Sequence, residues 1–264
     1  MSRSTKEKDT FYAAGEEADQ IAEAHREEVI GAVKNFFKET YKTDVKVHNI
    51  VGNVDGATVF VESTGPVHFY TTAIIPIDLS KEGIMVNQVF TMDSEVESAI
   101  RGGLYHLIFE EKFNELDRYL DRVVAENKVV GKTIESIENV GGTGYMTPYY
   151  FLTTSSSDKA IKPVYDAYMK NPNAPVSELK EQFAQEAFSV EYLKINHMLF
   201  MEEMNVEPDD RLFHQIAQDL KGMTMIPKGS YSLTINDNLI NKKVDDGYKD
   251  NSLRIGVPDY IVVE

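Results

Sequence analysis

Residues 44–78 read DVKVHNIVGNVDGATVFVESTGPVHFYTTAIIPID, and apolar side chains alternate with polar ones along much of this stretch. Such alternation is typical of strands that bury one face of a sheet. The pattern is interrupted at Asn53–Gly56 and at Gly65–Pro66, and these residue types favour a tight turn at each place. The stretch therefore predicts three consecutive strands joined by short turns.

Helical periodicity flanks the three predicted strands on both sides. Apolar residues recur at helical spacing over residues 16–41, and again from about residue 93 to residue 127. Asp93 and Ser94 are typical of a helix start, whereas Gly102–Gly103 could interrupt the second helix. The order helix–strand–strand–strand predicts an α+β fold, in which helices pack on an antiparallel sheet.

The C-terminal half is predicted to be mainly helical, with strands at its end. Four helices are expected over residues 159–169, 177–187, 189–204 and 208–220. Strands are expected at 231–235 and 261–263, with a polar, loop-rich segment at 236–252. The serines at 155–157 suggest a boundary between an N-terminal α+β lobe, residues 16–157, and a mainly helical lobe, residues 158–264. The alternative is a single domain in which the last strands rejoin the first sheet.

Composition narrows the class of protein. The chain has 264 residues, of which 27 are basic and 43 acidic, for a net charge of −16 at pH 7. This charge repels nucleic acid and anionic membrane surfaces, so neither is expected as a partner. The absence of cysteine excludes disulfides, thiol nucleophiles and thiolate metal sites. No run of about 20 apolar residues predicts a membrane span, and the first residues have no apolar signal core.

An uncharged stretch is the first candidate for ligand binding. Residues 139–157 read NVGGTGYMTPYYFLTTSSS, without a charge, in a chain that is 27% charged. Strands are expected on both sides of the glycine turn, within 129–154. The residues that could line a small pocket are Gly142, Gly144, Tyr145, Tyr149 and Tyr150. The alternative, which the composition favours, is that these tyrosines pack in the core with satisfied hydroxyls.

The glycines of this stretch do not form a nucleotide-binding motif. No Gly-Lys-Ser/Thr follows them, and Thr147 stands where a dinucleotide-binding loop needs its third glycine. The chain also lacks the Gly-x-Ser-x-Gly elbow of many serine hydrolases. The sequence therefore predicts no cofactor and assigns no catalytic residue.

The six histidines are dispersed along the chain. His106 and Glu110 lie four residues apart on a predicted helix and would share a face, which could begin a metal site. The His-Glu-x-x-His motif of zinc peptidases is absent, and no metal site is predicted. His48 and His68 fall on strands that could be neighbours, with the register open. His197 is expected to be a hydrogen-bonded, partly buried residue of a helix.

Acidic residues are abundant but do not form a recognisable site. Neighbouring acids such as Glu110–Glu111 point about 100° apart on a helix, so they cannot face one cleft as glycosidase carboxylates do. The acidic segment 245–251 could coordinate calcium, but its spacing departs from the EF-hand pattern. A surface loop is expected there.

Six segments together carry a family resemblance: FFKETYKTDVKV (36–47), HFYTTAIIPI (68–77), GGLYHLIF (102–109), ENVGGTGYMTPYYF (138–151), KNPN (170–173) and GSYSL (229–233). They resemble a family of uncharacterised lipoproteins of Gram-positive cell envelopes. The resemblance spans roughly residues 28–263. It implies no assigned activity and no catalytic residue, because none of its motifs is diagnostic of a reaction.

The resemblance does imply a location. Members of the family carry an export signal that ends in a lipid-modified cysteine, and this sequence contains neither feature. With such an anchor in front, the polar N-terminal residues would tether a folded domain to the outer surface of the membrane. If Met1 is the natural start, the chain would instead be cytoplasmic.

Three hypotheses for function are left. The first is an extracytoplasmic, non-enzymatic binding or interaction module for a small molecule or an envelope component, with the membrane reached only through a lipid anchor. The second is an envelope-acting hydrolase, with or without assistance from a metal ion, that uses His106 and Glu110. The third is a cytosolic scaffold protein. The absence of a catalytic constellation favours the first.

Overall fold

The computed structural model describes residues 15–238 and 251–264. The helices in these ranges are α1 (Glu16–Ala24), α2 (Arg26–Tyr41), α3 (Glu95–Ile108), α4 (Glu110–Glu126), α5 (Ile134–Val140), α6 (Lys162–Lys170), α7 (Val176–Glu181) and α8 (Asp210–Gly222). The strands are β1 (Val45–Asn53), β2 (Gly56–Ser63), β3 (Tyr70–Asp78), β4 (Gly83–Ile84), β5 (Val129–Val130), β6 (Tyr150–Thr154), β7 (Leu193–Met201), β8 (Gly229–Asn236), β9 (Leu253–Ile255) and β10 (Ile261–Val263). The predicted α+β class is confirmed. No helix within these ranges has the length and apolar character needed to cross a membrane.

The first sheet contains the three-strand antiparallel meander predicted from residues 44–78, extended by the short strand β4, which was not predicted. Its order is β1-β2-β3-β4, and β1 and β2 are joined by the expected turn, with Asn53 opposite Gly56. The apolar residues of β2 and β3 alternate between buried and half-buried positions. Their buried face packs on the helices that precede and follow the meander, which gives the sheet a core side and an outer side.

Strand β1 contains a bulge at His48. Val47 pairs with Val61, whereas Asn49 pairs with Phe60, so His48 is an extra residue without a partner on β2. A bulge of this kind re-aims side chains and is common beside functional sites. Here it leaves apolar residues on the core side in both halves of β1, and it directs His48 toward polar neighbours.

The second sheet has six strands. Its path is β10-β8-β7-β5, with β6 also paired to β7 and β9 to β8. Strands β7 and β8 are parallel, and the remaining pairs are antiparallel. Because β6 precedes residue 157 and β7 follows it, this sheet contains strands from both sides of the boundary suggested between 16–157 and 158–264. The division into two lobes stays a prediction.

The uncharged stretch 139–157 runs from the first sheet to the second. Gly144 and Tyr70 exchange both backbone hydrogen bonds at 2.9 Å, which attaches the stretch to β3. Six residues later the chain enters β6. Met146 and Ile137 of α5 pack with Tyr70 in a small apolar cluster separate from the main core. This cluster fixes α5 beside the outer side of the first sheet.

Two predicted elements are wrong in detail. The helix expected over 189–204 is mainly strand β7, in which every second residue is buried. The helix expected over 93–127 is broken at Phe109, not at Gly102–Gly103. Gly103 lies within α3, and a Cβ there would lie only 2.6 Å from the carbonyl oxygen of His68, so glycine permits the close packing of α3 at this point.

Other boundaries differ less. The helix expected over 16–41 is divided into α1 and α2 at His25, and α5 occupies part of the region 129–154 that was expected to be strand. The expected C-terminal strands are β8 and β10. Most of the loop-rich segment 236–252, and nearly all of the acidic segment 245–251, lie outside the described residues.

Candidate metal centre

Glu62 of β2 lies at the centre of a polar cluster beside the first sheet. His48 Nε2 lies 2.8 Å from Oε2 of Glu62, and His68 Nε2 lies 2.8 Å from Oε1. The hydroxyl of Tyr70 donates to Oε1 at 3.4 Å. The His48 side chain is only 6% exposed and that of Glu62 22%, so these contacts are largely shielded from water. One carboxylate thus holds two histidines that are 20 residues apart in the sequence.

A second carboxylate reaches the same histidine from α5. Oε2 of Glu138 lies 3.7 Å from His48 Nδ1, and its side chain is 27% exposed. Lys46 Nζ lies 3.9 Å from the other oxygen of Glu138. We call His48, Glu62, His68 and Glu138 the His–Glu cluster.

Local interactions place Glu138 there. Thr133 caps α5 by accepting a hydrogen bond from the backbone N–H of Ser136 at 3.1 Å. Ile137 is buried against Tyr70 at the outer side of the sheet. At the end of α5, the side-chain amide of Asn49 donates to the carbonyl oxygen of Asn139 at 2.9 Å. The residue beside the β1 bulge therefore ties α5 to the strand that carries His48.

The electrostatics of the cluster favour an ionised Glu62. Partial burial alone would raise the pKa of its carboxyl, but the hydrogen bonds from His68 and His48 outweigh burial, and the pKa is lowered. Burial, together with the negative charges of Glu62 and Glu138, raises the pKa of Tyr70 to about 12. Tyr70 is therefore a protonated hydrogen-bond donor at neutral pH.

Three members of the cluster can offer ligand atoms to one cation. The atoms from His48, Glu62 and Glu138 all lie within 4.8 Å of one another, and no other group of three such side chains in the described residues meets this criterion. Zinc bonds of about 2.0–2.2 Å place tetrahedral ligand atoms about 3.3 Å apart. Rotamer adjustments of roughly 1–2 Å would therefore suffice to enclose an ion. His68 lies outside the set and would orient Glu62 by hydrogen bonding.

The pair His106 and Glu110 does not form the shared helical face predicted for it. Helix α3 ends at Ile108 and α4 begins at Glu110, so the helical spacing does not continue between the two side chains. His106 instead stacks on the ring of Tyr145, with ring centroids 4.1 Å apart. Burial lowers the pKa of His106 to about 4, with a smaller contribution from His68. The imidazole is therefore neutral at physiological pH.

The candidate ligand-binding residues of the uncharged stretch are spread from core to surface. Tyr145 and Tyr150 are buried, at 7% and 2% exposure, and Gly144 is buried with φ +140°. Gly142 is exposed, and Tyr149 is partly exposed with its hydroxyl donating to Asp121 at 3.0 Å. The ring of Tyr145 also lies 6.0 Å from that of His68, so the stretch borders the His–Glu cluster. Ligand binding by these five residues stays a prediction.

The sequence interpretation missed Glu62 and Glu138. One signal was available: the apolar positions Val45, Val47 and Ile50 include a step of three residues, which breaks the two-residue period of a regular strand. That step marks the bulge and therefore the special position of His48. Nothing in the local sequence signals that Glu138 returns to this strand.

The fold and the cluster define a class of protein: an acidic α+β protein whose described residues form two sheets and a His–Glu cluster. The chain matches, over residues 10–263, the family described as "Protein of unknown function (DUF1672)", and it belongs to that family. It is also similar to the crystal structure, at 1.80 Å resolution, of a DUF1672 family protein from Staphylococcus aureus subsp. aureus Mu50. The two are 21% identical with a TM-score of 0.73, over 93% of this chain and 92% of the other. No curated protein matches the chain.

These comparisons confirm membership of an uncharacterised family and support the α+β fold. At 21% identity the structural match concerns the fold alone. The family description assigns no activity.

Proposed function

We propose that the chain is the binding domain of an extracytoplasmic, lipid-anchored protein and that it binds a divalent transition-metal ion, preferably Zn²⁺. The observation that carries the metal assignment is the convergence of His48, Glu62 and Glu138 from β1, β2 and α5. An imidazole and two carboxylates form a donor set suited to zinc. Three protein ligands leave at least one coordination position for water or a bound molecule.

Partial burial makes a cation favourable at this position. The two carboxylates stand beside the imidazoles of His48 and His68 with limited access to water, and burying carboxylate charges is costly unless an opposite charge compensates them. Lys46 is the nearest ammonium to Glu138, but it is 59% exposed and 3.9 Å away. A metal ion between the two carboxylates would provide stronger compensation than this solvent-exposed contact.

The proposed location rests on the resemblance to envelope lipoproteins. The absence of cysteine is compatible with it, because such a domain cannot form unwanted disulfides in an oxidising compartment. Protease treatment of intact cells that carry the native gene tests the location. Degradation of the protein without cell lysis is expected, whereas full protection until lysis would contradict it.

Equilibrium dialysis of the metal-free protein against buffered Zn²⁺ tests the metal site. We expect one zinc ion per chain, and we expect His48→Gln and Glu138→Gln each to weaken binding by at least 100-fold, because each removes a ligand. His68→Gln should weaken it by about 10–100-fold, the usual effect of a residue that orients a metal ligand.

A matched control is available on the first helices. His25 and Glu28 form a solvent-exposed pair at 3.1 Å, so His25→Gln removes a His–Glu contact away from the cluster. This variant should bind zinc like the unmodified chain. Equal zinc binding by the unmodified chain and by His48→Gln would refute the site.

The same preparations separate a binding module from a metal-assisted hydrolase. A module binds zinc without turning over ester or amide substrates. Turnover that requires zinc and is lost in Glu62→Gln would support the hydrolase hypothesis. The active site would then be the His–Glu cluster and not the pair His106 and Glu110.

A further inference from the structure

A cleft lies at the junction between α3 and α4. Phe109 separates the two helices and Tyr105 lies one turn before it, while Phe183 and Phe188 belong to the segment between α7 and β7. The ring centroids of Phe109 and Phe183 are 5.0 Å apart and nearly perpendicular, and those of Phe183 and Phe188 are 6.0 Å apart. Together with Leu193 and Pro227, these rings line a cavity of about 90 Å³.

Besides two lysines, the side chain of Gln185 is the polar group that lines the cleft, and the remaining lining residues present mainly apolar surface. The hydroxyl of Tyr105 already donates to Asp158 at 2.6 Å, so Tyr105 presents only its ring. The carbonyl oxygen of Pro227 already accepts a hydrogen bond from Tyr231. A group bound between the rings must therefore be apolar.

The volume limits the size of that group. A cavity of roughly 150 Å³ accommodates a benzene molecule, and the present cavity is smaller. A short branched alkyl group fits within this volume, whereas a complete aromatic ring would be enclosed only in part. The closely packed aromatic walls favour the smaller group, because rings do not move apart without loss of contact.

The rim of the cleft is basic, in contrast to the chain as a whole. Lys112 and Lys228 line the cleft, and neither has a carboxylate within 4.0 Å in an ion pair among the residues that the structure describes. A third lysine, Lys180, lies with Nζ 6.0 Å from the centre of the Phe109 ring. In a chain of net charge −16, unpaired lysines beside an apolar cleft are complementary to an anionic group.

We propose that this cleft binds a short branched alkyl carboxylate, with the alkyl group between the rings and the carboxylate facing Lys112 and Lys228. The site is independent of the proposed metal centre, because it shares no residue with the His–Glu cluster. The same chemistry occurs in a free branched-chain acid and in a peptide that ends in valine.

An NMR titration of the full chain tests the proposal with 3-methylbutanoate as the probe and 3-methylbutanamide as its neutral counterpart. The acid should shift the methyl signals of Leu193 and the ring signals of Phe183 in a saturable way. The amide should bind about tenfold more weakly, because it keeps the alkyl contacts and loses the two charge-assisted ones. Absence of saturable shifts with the acid would overturn the proposal.

Lysine variants test the basic rim. The double variant Lys112→Gln/Lys228→Gln should weaken acid binding by about tenfold and leave amide binding unchanged. Lys34→Gln/Lys221→Gln removes two exposed lysines outside the cleft and changes the net charge equally, so it should leave both affinities unchanged. If both double variants lose the same affinity for the acid, the effect comes from net charge alone, and the assignment of the carboxylate to Lys112 and Lys228 is overturned.

A tripeptide, Gly-Gly-Val, whose last residue has the carbon skeleton of 3-methylbutanoate, distinguishes the two sources of the ligand. Tighter binding of this peptide than of 3-methylbutanoate, with loss on amidation of its terminus, supports recognition of a peptide end. Tighter binding of the free acid supports a small-molecule ligand. Both outcomes support an alkyl carboxylate as the ligand. The proposal is contradicted if the free peptide binds as tightly as the amidated peptide and 3-methylbutanoate binds as tightly as 3-methylbutanamide.

Discussion

His106 is expected to make the protein less stable in mild acid. Its imidazole is stacked on Tyr145 and lies 5.2 Å from the ring of Phe113, and burial lowers its pKa to about 4 from the ordinary 6.5. Between pH 6.5 and pH 4 the imidazole of His106 is therefore protonated in the unfolded chain and mainly neutral in the folded chain. Stability is fully present above pH 6.5 and falls as the pH decreases through this window.

The size of the effect follows from the two pKa values. At pH 5 an unfolded histidine of pKa 6.5 has taken up its proton almost completely, which favours unfolding by about 2 kcal/mol. Because His106 is not completely buried, we expect a contribution of about 1–2 kcal/mol. His197 is fully buried with a pKa of about 4, so it adds a similar loss in the unmodified chain.

Urea unfolding of the unmodified chain and of His106→Phe at pH 7 and pH 5 isolates the contribution of His106. Phenylalanine preserves ring stacking on Tyr145 and cannot be protonated. The variant should lose about 1–2 kcal/mol less stability between the two pH values. His214→Gln serves as the control, because it removes a histidine whose side chain is 64% exposed and leaves the buried rings around His106 intact. An equal loss in His106→Phe and the unmodified chain would refute the reasoning.

Two further substitutions test the packing of α3, each with a matched control. Tyr105→Phe should lower the free energy of unfolding by about 1–3 kcal/mol, because the buried carboxylate of Asp158 loses its hydroxyl donor. Tyr168→Phe, which removes a longer bond to a threonine hydroxyl, should cost less in the same urea titration. Gly103→Ala should lower the melting temperature through a loss of about 1–3 kcal/mol, since its Cβ would lie 2.6 Å from a backbone oxygen. Gly31→Ala on α2 meets no atom within 4 Å and should be neutral or stabilising by up to about 1 kcal/mol; the reverse order of these two alanine variants would contradict the packing argument.

The sequence predicts the first sheet well because its information is local. Two-residue periodicity and the turn at Asn53–Gly56 specify both the strands of the first hairpin and their connection. Strand β7 was mistaken for a helix because its apolar run Met198–Met201 conceals the alternation, which becomes visible only when His197 is counted among the buried residues. A neutral buried histidine belongs to the core pattern although its residue type suggests a polar position.

The His–Glu cluster could not be assembled from the sequence because its contacts are long-range. Glu138 follows His48 by 90 residues and Glu62 by 76, and it lies on a helix of only seven residues. A helix this short has little intrinsic stability, so tertiary contacts decide whether it forms. The contacts that do so, made by Ile137 and Asn139, involve partners on β1 and β3.

The position of the stretch 139–157 in the fold explains why it carries no charge, and it decides which of its residues can be used to test ligand binding. It lies between two sheets, where Gly144 pairs with Tyr70 and where Tyr145 and Tyr150 are buried, so a charge at these positions would lack solvent. Replacing Tyr145 by alanine would leave a cavity beside His106, and the loss of stability would be indistinguishable from a loss of binding. Tyr149 is the better probe, because it is partly exposed and its hydroxyl bonds to Asp121 at the surface. If a ligand contacts this stretch, Tyr149→Phe should weaken its binding. The unfolding midpoint of this variant should change only by the small amount expected for the loss of a surface hydrogen bond.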